Sequence, residues 1–161
     1  MLHHTARRFP ALVAIALLLL AGCDRSVVYE QNIEVEEKGW ENRRFKRYSF
    51  VIQDTAIPYN FYINIRNNTD YPYANLFLFI RTILPDQTAA QDTVDIAIAG
   101  PDGKWLGSGI GKHRDNQVLI MPQFRFPQRG EYIFEIEHAM RETALTGISA
   151  VGIRVERSTK K

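Results

Sequence analysis

The feature that most restricts the fold is a strict alternation of apolar residues with mostly polar ones along several segments. In the clearest segment, Tyr59, Phe61, Ile63 and Ile65 are each separated by one residue. Because successive side chains of a β-strand point to opposite faces, this pattern predicts a strand with one buried and one solvent-exposed face. The same alternation occurs in residues 93–98, 131–136 and 151–156. The chain is therefore predicted to fold mainly as antiparallel β-sheet.

Residues 76–80, Leu-Phe-Leu-Phe-Ile, are apolar at every position. This composition is typical of a strand covered on both faces, so the segment is predicted to form the middle of the core. Clusters of Pro, Gly, Asn and Asp, which favour turns, separate the predicted strands. These clusters are residues 67–70, 85–86, 100–103 and 127–130.

About eight or nine short strands without a strong helical pattern indicate an all-β fold. We expect a single antiparallel β-sandwich, either jelly-roll or immunoglobulin-like. One short helical crossover is predicted at residues 137–145, where alanine, methionine and leucine favour helix, and it should end near Gly147.

The N-terminal segment has the parts of a lipoprotein signal peptide. Arg7 and Arg8 precede an apolar run that closes with Leu20-Ala21-Gly22-Cys23, and this run is too short to span a bilayer, which takes about 20 residues. Cys23 is the only cysteine in the chain, so it cannot form an intramolecular disulfide. We expect Cys23 to carry a diacylglyceryl group and an N-acyl chain such as palmitate, which together give stable membrane attachment. The alternative is an ordinary signal peptide with an incidental cysteine.

The predicted organisation is a signal peptide at residues 1–22, a lipidated N-terminus and short linker at 23–28, one β-sandwich domain at 29–157 and a basic tail at 158–161.

Removing residues 1–22 takes away two of the twenty basic residues and none of the eighteen acidic ones. The mature chain is therefore close to neutral, which argues against nucleic acid as a partner.

The sequence offers little catalytic machinery. Ser108 lacks the glycine two positions earlier that a nucleophile elbow requires. His113 and His138 are far apart and have no neighbouring cysteine, so a zinc site is not indicated. The alternating glycines at 107, 109 and 111 do not have phosphate-loop spacing and are better explained by tight bends or close backbone approach. We expect no catalytic residues, no metal site, no cofactor and no enzyme activity.

One catalytic alternative stays open. Glu135 and Glu137 are two residues apart on a predicted strand and should share a face. Such a pair could act on a sugar or hold calcium, although a solvated strand edge is the simpler explanation.

Aromatic residues beside polar turns are the candidate binding residues. They are Trp40, Tyr71, Tyr73 and Trp105, and Pro72 stiffens the loop between the two tyrosines. Exposed aromatic side chains anchor protein partners or stack on sugar rings. The alternative is that they cap the core of the sandwich.

Over nearly the whole mature chain, ordered motifs resemble those of the GldH-type gliding-motility lipoproteins. The motifs are Cys23, Val28-Tyr29-Glu30, Trp40, residues 62–67, 71–76, 92–93, 103–109, 130–132, 138–141, 145–148 and 151–152. The resemblance implies an envelope lipoprotein that gliding motility requires and that is associated with the secretion of surface adhesins. It implies no enzymatic activity.

The predicted function is a non-catalytic accessory or scaffold for gliding motility and the associated protein secretion. In this hypothesis Cys23 holds the domain to membrane lipid, and a loop face with Tyr71, Tyr73 and Trp105 binds an envelope protein of the motility or secretion complex. No acidic run follows Cys23 that would indicate surface export, so we expect the outer membrane, facing the periplasm. The alternative is a glycan-binding lipoprotein in which Trp40 and Trp105 stack on sugar rings.

Overall fold

The structure, a computed structural model, describes residues 26–158. The predicted signal peptide, Cys23 and the last three residues lie outside this part of the chain. The described residues form strands and connecting loops. The strands β1 to β10 are, in chain order, Val27–Glu34, Trp40–Glu41, Lys46–Ile52, Tyr59–Asn68, Asn75–Ile83, Ala89–Ala97, His113–Phe124, Gly130–His138, Ala144–Leu145 and Ile148–Arg157.

Eight of these strands form two four-stranded sheets. Sheet I has the order β1-β10-β4-β7, and sheet II has the order β3-β8-β5-β6. Every pairing in both sheets is antiparallel. The two short strands β2 and β9 pair with each other as a separate ribbon. The structure thus confirms the predicted all-β antiparallel sandwich.

The core lies between the two sheets and is built from the alternating apolar residues. Phe61, Ile63 and Ile65 of β4 are each at most 1% exposed. The ring of Phe61 stacks on Phe134 of sheet II with 4.7 Å between ring centroids. Burying each such side chain stabilises the fold by about 1.5–3 kcal/mol relative to leaving it exposed. The alternation therefore determines which face of each sheet is buried.

The apolar strand β5 differs from its prediction on one face. It lies inside sheet II between β8 and β6, and Leu76 and Leu78 are fully buried. Phe77, which points to the opposite face, is 39% exposed. Among the described residues this second face is covered only in part, by Met140, so the prediction of a strand buried on both faces was wrong.

The predicted helical crossover is also wrong. In place of a helix, β8 continues to His138, a bend follows, and Ala144–Leu145 forms β9. The backbone N–H of Ala139 donates to the carbonyl oxygen of Phe77 at 2.8 Å, and β9 pairs with Trp40–Glu41. These partners lie far away in sequence, so tertiary pairing overrides the local helix propensity.

The sandwich has two distinct ends because its long strands alternate in direction. We call the end where the chain enters at Ser26 and leaves at Ser158 the proximal end; its connections are residues 53–58, 84–88 and 125–129. The opposite, distal end carries the connections 35–45, 69–74, 98–112 and 139–147, three of which are longer than any at the proximal end. The first strand starts at Val27, two residues before the predicted domain boundary.

Close backbone approach explains two of the alternating glycines. A Cβ at Gly107 would lie 2.7 Å from the Asn116 side-chain oxygen, and a Cβ at Gly109 would overlap the carbonyl oxygen of His113. Between them, the backbone of Ser108 pairs with that of Asp115. The glycines therefore let this loop lie against β7, as the sequence interpretation expected.

Aromatic side chains close the core at the distal end. Trp40 is 1% exposed and Tyr71 is 3% exposed. His138 is 3% exposed, and its ring packs edge-on against Trp40 with 5.5 Å between centroids. Burial lowers the pKa of His138, and its contact with the Trp40 backbone and the charge of Glu137 oppose this more weakly.

Replacing Trp40 or Tyr71 with alanine should lower the free energy of unfolding by about 3–5 kcal/mol, because each change leaves a cavity in the packed core. Urea denaturation of the purified protein measures this. Phe77→Ala is the matched control, because it removes an exposed aromatic ring and should change the free energy by less than about 1 kcal/mol. Similar losses in all three variants would contradict the assignment of Trp40 and Tyr71 to the core.

The buried His138 should make stability depend on pH. Because its pKa is lower in the folded than in the unfolded state, protonation favours unfolding. This contribution to stability is complete above a pH of about 6.5 and is lost as the pH falls below it. His138→Gln should therefore reduce the fall in Tm between pH 7 and pH 5.

The control for this experiment is His113→Gln, which replaces an exposed histidine. This variant should show the same fall in Tm between pH 7 and pH 5 as the unsubstituted protein, because the His113 side chain is exposed to solvent. If His138→Gln and the unsubstituted protein lose stability in parallel on acidification, His138 does not cause the dependence.

Candidate functional site

The four aromatic residues selected from the sequence all lie at the distal end. Trp40 begins β2 between β1 and β3, Tyr71 and Tyr73 lie between β4 and β5, and Trp105 lies between β6 and β7. The fold thus places at one end residues that are up to 65 positions apart, as Trp40 and Trp105 are. Their exposure separates them into two pairs.

Trp40 is a core residue, which corrects its assignment to a binding surface. Its indole N–H donates to the carbonyl oxygen of Arg44 at 2.7 Å, so its polar group is satisfied within the protein. With 1% of its surface exposed, its ring has no free face for a partner. In the glycan-binding alternative, Trp40 and Trp105 stack on sugar rings. Because Trp40 is buried, only Trp105 could do so.

Tyr71 is also in the core, which corrects its assignment as well. Its hydroxyl donates to the carbonyl oxygen of Asn75 at 2.8 Å, and burial raises the pKa of this hydroxyl. The rings of Tyr71 and Tyr73 meet edge to face at 5.7 Å. The two rings therefore contact each other instead of facing a partner side by side.

Tyr73 and Trp105 remain at the surface in part. Both are partly buried against the core. The Tyr73 hydroxyl donates to Glu142, which fixes the ring over the last distal connection. Trp105 pairs with Ala99 across its own loop, next to Leu106, which is 60% exposed.

The structure exposes a surface that the sequence analysis missed. Phe45 is 50% exposed and Phe77 is 39% exposed, and Phe79 and Met140 are partly buried beside them. We call these four residues the aromatic patch. It lies on the outer face of sheet II, toward the distal end. Phe77 and Phe79 share this face because they are two residues apart on β5.

Two shallow depressions lie along the aromatic patch. Phe45 and Phe79 line one depression of about 210 Å³ together with Glu137. Phe77 and Met140 line a second of about 400 Å³ together with Tyr73. One of the sequence-predicted residues, Tyr73, is therefore part of the border of this surface.

Charged residues border the patch on the proximal side, and one of them, Glu137 of β8, lies between Phe45 and Phe79. The Glu135 carboxylate is 8% exposed and forms ion pairs with Arg47 at 3.3 Å and Arg81 at 3.2 Å. Glu137 lies on the same face, as its spacing predicted, and faces Phe79 across the β5–β8 pair. Both oxygens of Glu135 already accept from arginine, so this carboxylate is held as part of a surface ion-pair network.

A signal for the aromatic patch was present in the sequence but was interpreted differently. The apolar run of residues 76–80 was expected to be covered on both faces by the rest of the chain. An apolar strand face that the same chain leaves open is equally consistent with this run. Phe45 and Met140 carry no such signal, because they join the patch only through the pairing of β3, β8 and β5.

Two further observations concern the described residues 26–158. No three His, Cys, Asp or Glu side chains in this range lie close enough to share a metal ion. No helix in the range is long and apolar enough to cross a membrane.

Comparisons with known proteins agree with the resemblance seen in the sequence. The model of the GldH lipoprotein family matches residues 27–155. A gliding motility lipoprotein GldH homolog of Christiangramia forsetii is 32% identical over 149 residues, which cover 88% of this chain and 91% of the relative. The gliding motility lipoprotein GldH of Flavobacterium johnsoniae is 29% identical over 152 residues, which cover 90% of this chain and 94% of the relative.

Solved structures give a weaker likeness. The VP2 subviral particle of infectious bursal disease virus matches with a TM-score of 0.34 and 16% identity over 82% of this chain. The chain spans 32% of the length of that viral protein. The sequence comparisons are stronger. Because the family match extends from the first to the last strand of the sandwich, the chain belongs to the GldH lipoprotein family.

Proposed function

We propose that this protein is a membrane-anchored, non-catalytic scaffold of the gliding apparatus and of the protein secretion associated with it. A lipid on Cys23 holds it to the membrane, and the aromatic patch binds another envelope protein. The names of its relatives support the role in gliding motility. The single observation that carries the binding role is the exposed aromatic patch on sheet II.

The composition of the patch favours a protein partner. Single exposed apolar residues are normal on protein surfaces, but a contiguous group with a polar border is typical of interaction sites. Phe, Met and Arg are enriched in the centres of protein interfaces. Here Phe77, Phe79 and Met140 provide the apolar centre, Phe45 lies across Glu137 from Phe79, and Arg81 is on the border. The expected occupant is an apolar segment of a second envelope protein.

The position of the patch fits a membrane anchor at the opposite end. Three residue steps separate Cys23 from Ser26, which corresponds to about 10 Å when extended. The ten residues of β4 span about 33 Å from the proximal to the distal end. A partner can therefore reach the distal half of sheet II without approaching the lipid headgroups. We place the anchor in the outer membrane, with the domain facing the periplasm.

The binding role predicts a contact between the patch and one partner protein. A photo-crosslinking amino acid at position 77 or 45, incorporated into the protein in its own host, should form an adduct with a motility or secretion component. Mass spectrometry identifies the adduct. Phe77→Ala should reduce the yield of the adduct formed from position 45 at least fivefold, because it removes the adjoining apolar contact area.

Position 119 provides the matched control, because Leu119 is 44% exposed on sheet I. A crosslinker there should give no such adduct. The docking role of the patch is refuted if positions 45 and 77 yield no protein adduct, or if position 119 yields the same one.

The anchor predicts that Cys23→Ala releases the protein from membranes into the soluble fraction, because the thiol that carries the lipid is gone. Ultracentrifugation of lysed cells and metabolic labelling with an alkyne analogue of palmitate measure attachment and acylation. Cys23→Ser should behave in the same way. A variant that still sediments with membranes and still takes up the label would exclude Cys23 as the lipidation site.

A further inference from the structure

A polar trough runs across the outer face of sheet I, on the side of the sandwich opposite the aromatic patch. It has a volume of about 400 Å³, within the range of about 300–1,000 Å³ that is usual for small-molecule sites. Ala150 of β10 and Ile65 of β4 form part of its floor. Longer polar side chains from β1, β4 and β7 form its walls.

The strand register explains how the polar row along the trough forms. In one row across sheet I, Asn32 is opposite Gly152, Gly152 is opposite Asn64, and Asn64 is opposite Gln117. A Cβ at position 152 would lie 2.5 Å from the Gln31 carbonyl oxygen and would overlap the Asn32 amide. The glycine therefore lets the polar side chains of neighbouring strands meet across β10.

The carboxamides in this row hold one another in fixed orientations. The side-chain N–H groups of Asn64 donate to Glu30 at 3.1 Å and to Asn32 at 3.2 Å. The Asn64 oxygen accepts from Gln117 at 3.1 Å. A network in which donors and acceptors are already oriented binds a ligand at a lower entropic cost.

The charges that line the trough are paired. Arg66 forms an ion pair with Asp115 at 2.6 Å, and Glu30 forms one with Arg154 at 2.7 Å. An anionic ligand would require an uncompensated cation, and a cationic ligand would require an uncompensated carboxylate. The trough therefore suits a ligand without net charge.

The polar groups of the trough that have no partner include both hydrogen-bond donors and acceptors. Within the described part of the chain, the Asn32 amide N–H groups, the Gln117 oxygen, the Ser108 hydroxyl and one Asp115 oxygen make no hydrogen bond. Together they offer both donors and acceptors over a small area. Hydroxyl groups match such a surface because each one donates and accepts.

The position of the trough disfavours an extended peptide. Peptides that bind to sheets usually add a strand at an exposed edge through backbone hydrogen bonds. The trough lies over β10 and β4, which are the two interior strands of sheet I and are paired on both sides. Recognition here depends on side chains alone.

From these observations we infer that the outer face of sheet I binds a neutral saccharide in the trough beside Ala150, through Asn32, Asn64, Asp115 and Gln117. This site is separate from the tryptophan pair that the sequence suggested and lies on the other sheet from the aromatic patch. The two proposed binding sites can therefore be tested independently of each other.

The test uses the full-length protein in a detergent that has no sugar headgroup. Side-chain amide resonances of Asn and Gln are followed by NMR while neutral saccharides are added: glucose, galactose, mannose, N-acetylglucosamine and their 1,4-linked disaccharides. At least one should cause saturable shifts at Asn32, Asn64 and Gln117. Gln117→Ala should weaken that binding at least tenfold with little change in Tm, because the side chain is exposed.

Gln91→Ala is the matched control, because Gln91 is an exposed strand glutamine on sheet II. It should leave binding unchanged. The inference is overturned if no saccharide causes saturable shifts, or if the shifts persist in Gln117→Ala. It is also overturned if a blocked triglycine peptide or inorganic phosphate shifts these resonances and the saccharides do not.

Discussion

The packing of aromatic rings between the two sheets is the interaction on which the rest of the structure depends. Phe61 of sheet I and Phe50 of sheet II both stack on Phe134, with centroid distances of 4.7 Å and 5.6 Å. The hydroxyl of Tyr48 also crosses the core and donates to the carbonyl oxygen of Val151 at 2.7 Å. A buried hydrogen bond of this kind restricts how the sheets slide past each other, because any other register leaves the hydroxyl unsatisfied. With the inner faces fixed in this way, the outer faces are free to differ.

The sequence predicted the parts of the fold that depend on local pattern. Period-two alternation identified β4, β8 and β10, and the turn clusters separated the strands correctly. The helix prediction failed because β9 pairs with Trp40–Glu41, about 100 residues earlier in the chain. A local sequence pattern does not indicate a pairing partner so far away in the chain. Burial of Trp40 and Tyr71 has the same cause: both follow polar turns, and only the folded distal connections enclose them.

The candidate sites were predictable to different degrees. The aromatic patch had a sequence signal in the run of residues 76–80, although the signal did not say whether the second face is covered. The trough had none, because Asn32, Asn64, Gln117 and Gly152 come from four strands and are separated by up to 120 positions. Each of these residues on its own is an ordinary polar or small residue of an exposed strand face. Only the register of sheet I places them in one row.

The two outer faces differ in chemistry, and this difference argues for two kinds of ligand. Sheet II exposes Phe45 and Phe77, whose burial by a partner would release ordered water and favour association. Sheet I exposes carboxamides and paired charges. The free-energy cost of removing water from these groups is offset only by a ligand that restores each hydrogen bond. An apolar protein segment satisfies the first condition, and a hydroxyl-rich ligand satisfies the second. Because the proximal end holds both ends of the described chain, an anchor at Cys23 leaves both faces accessible at the same time.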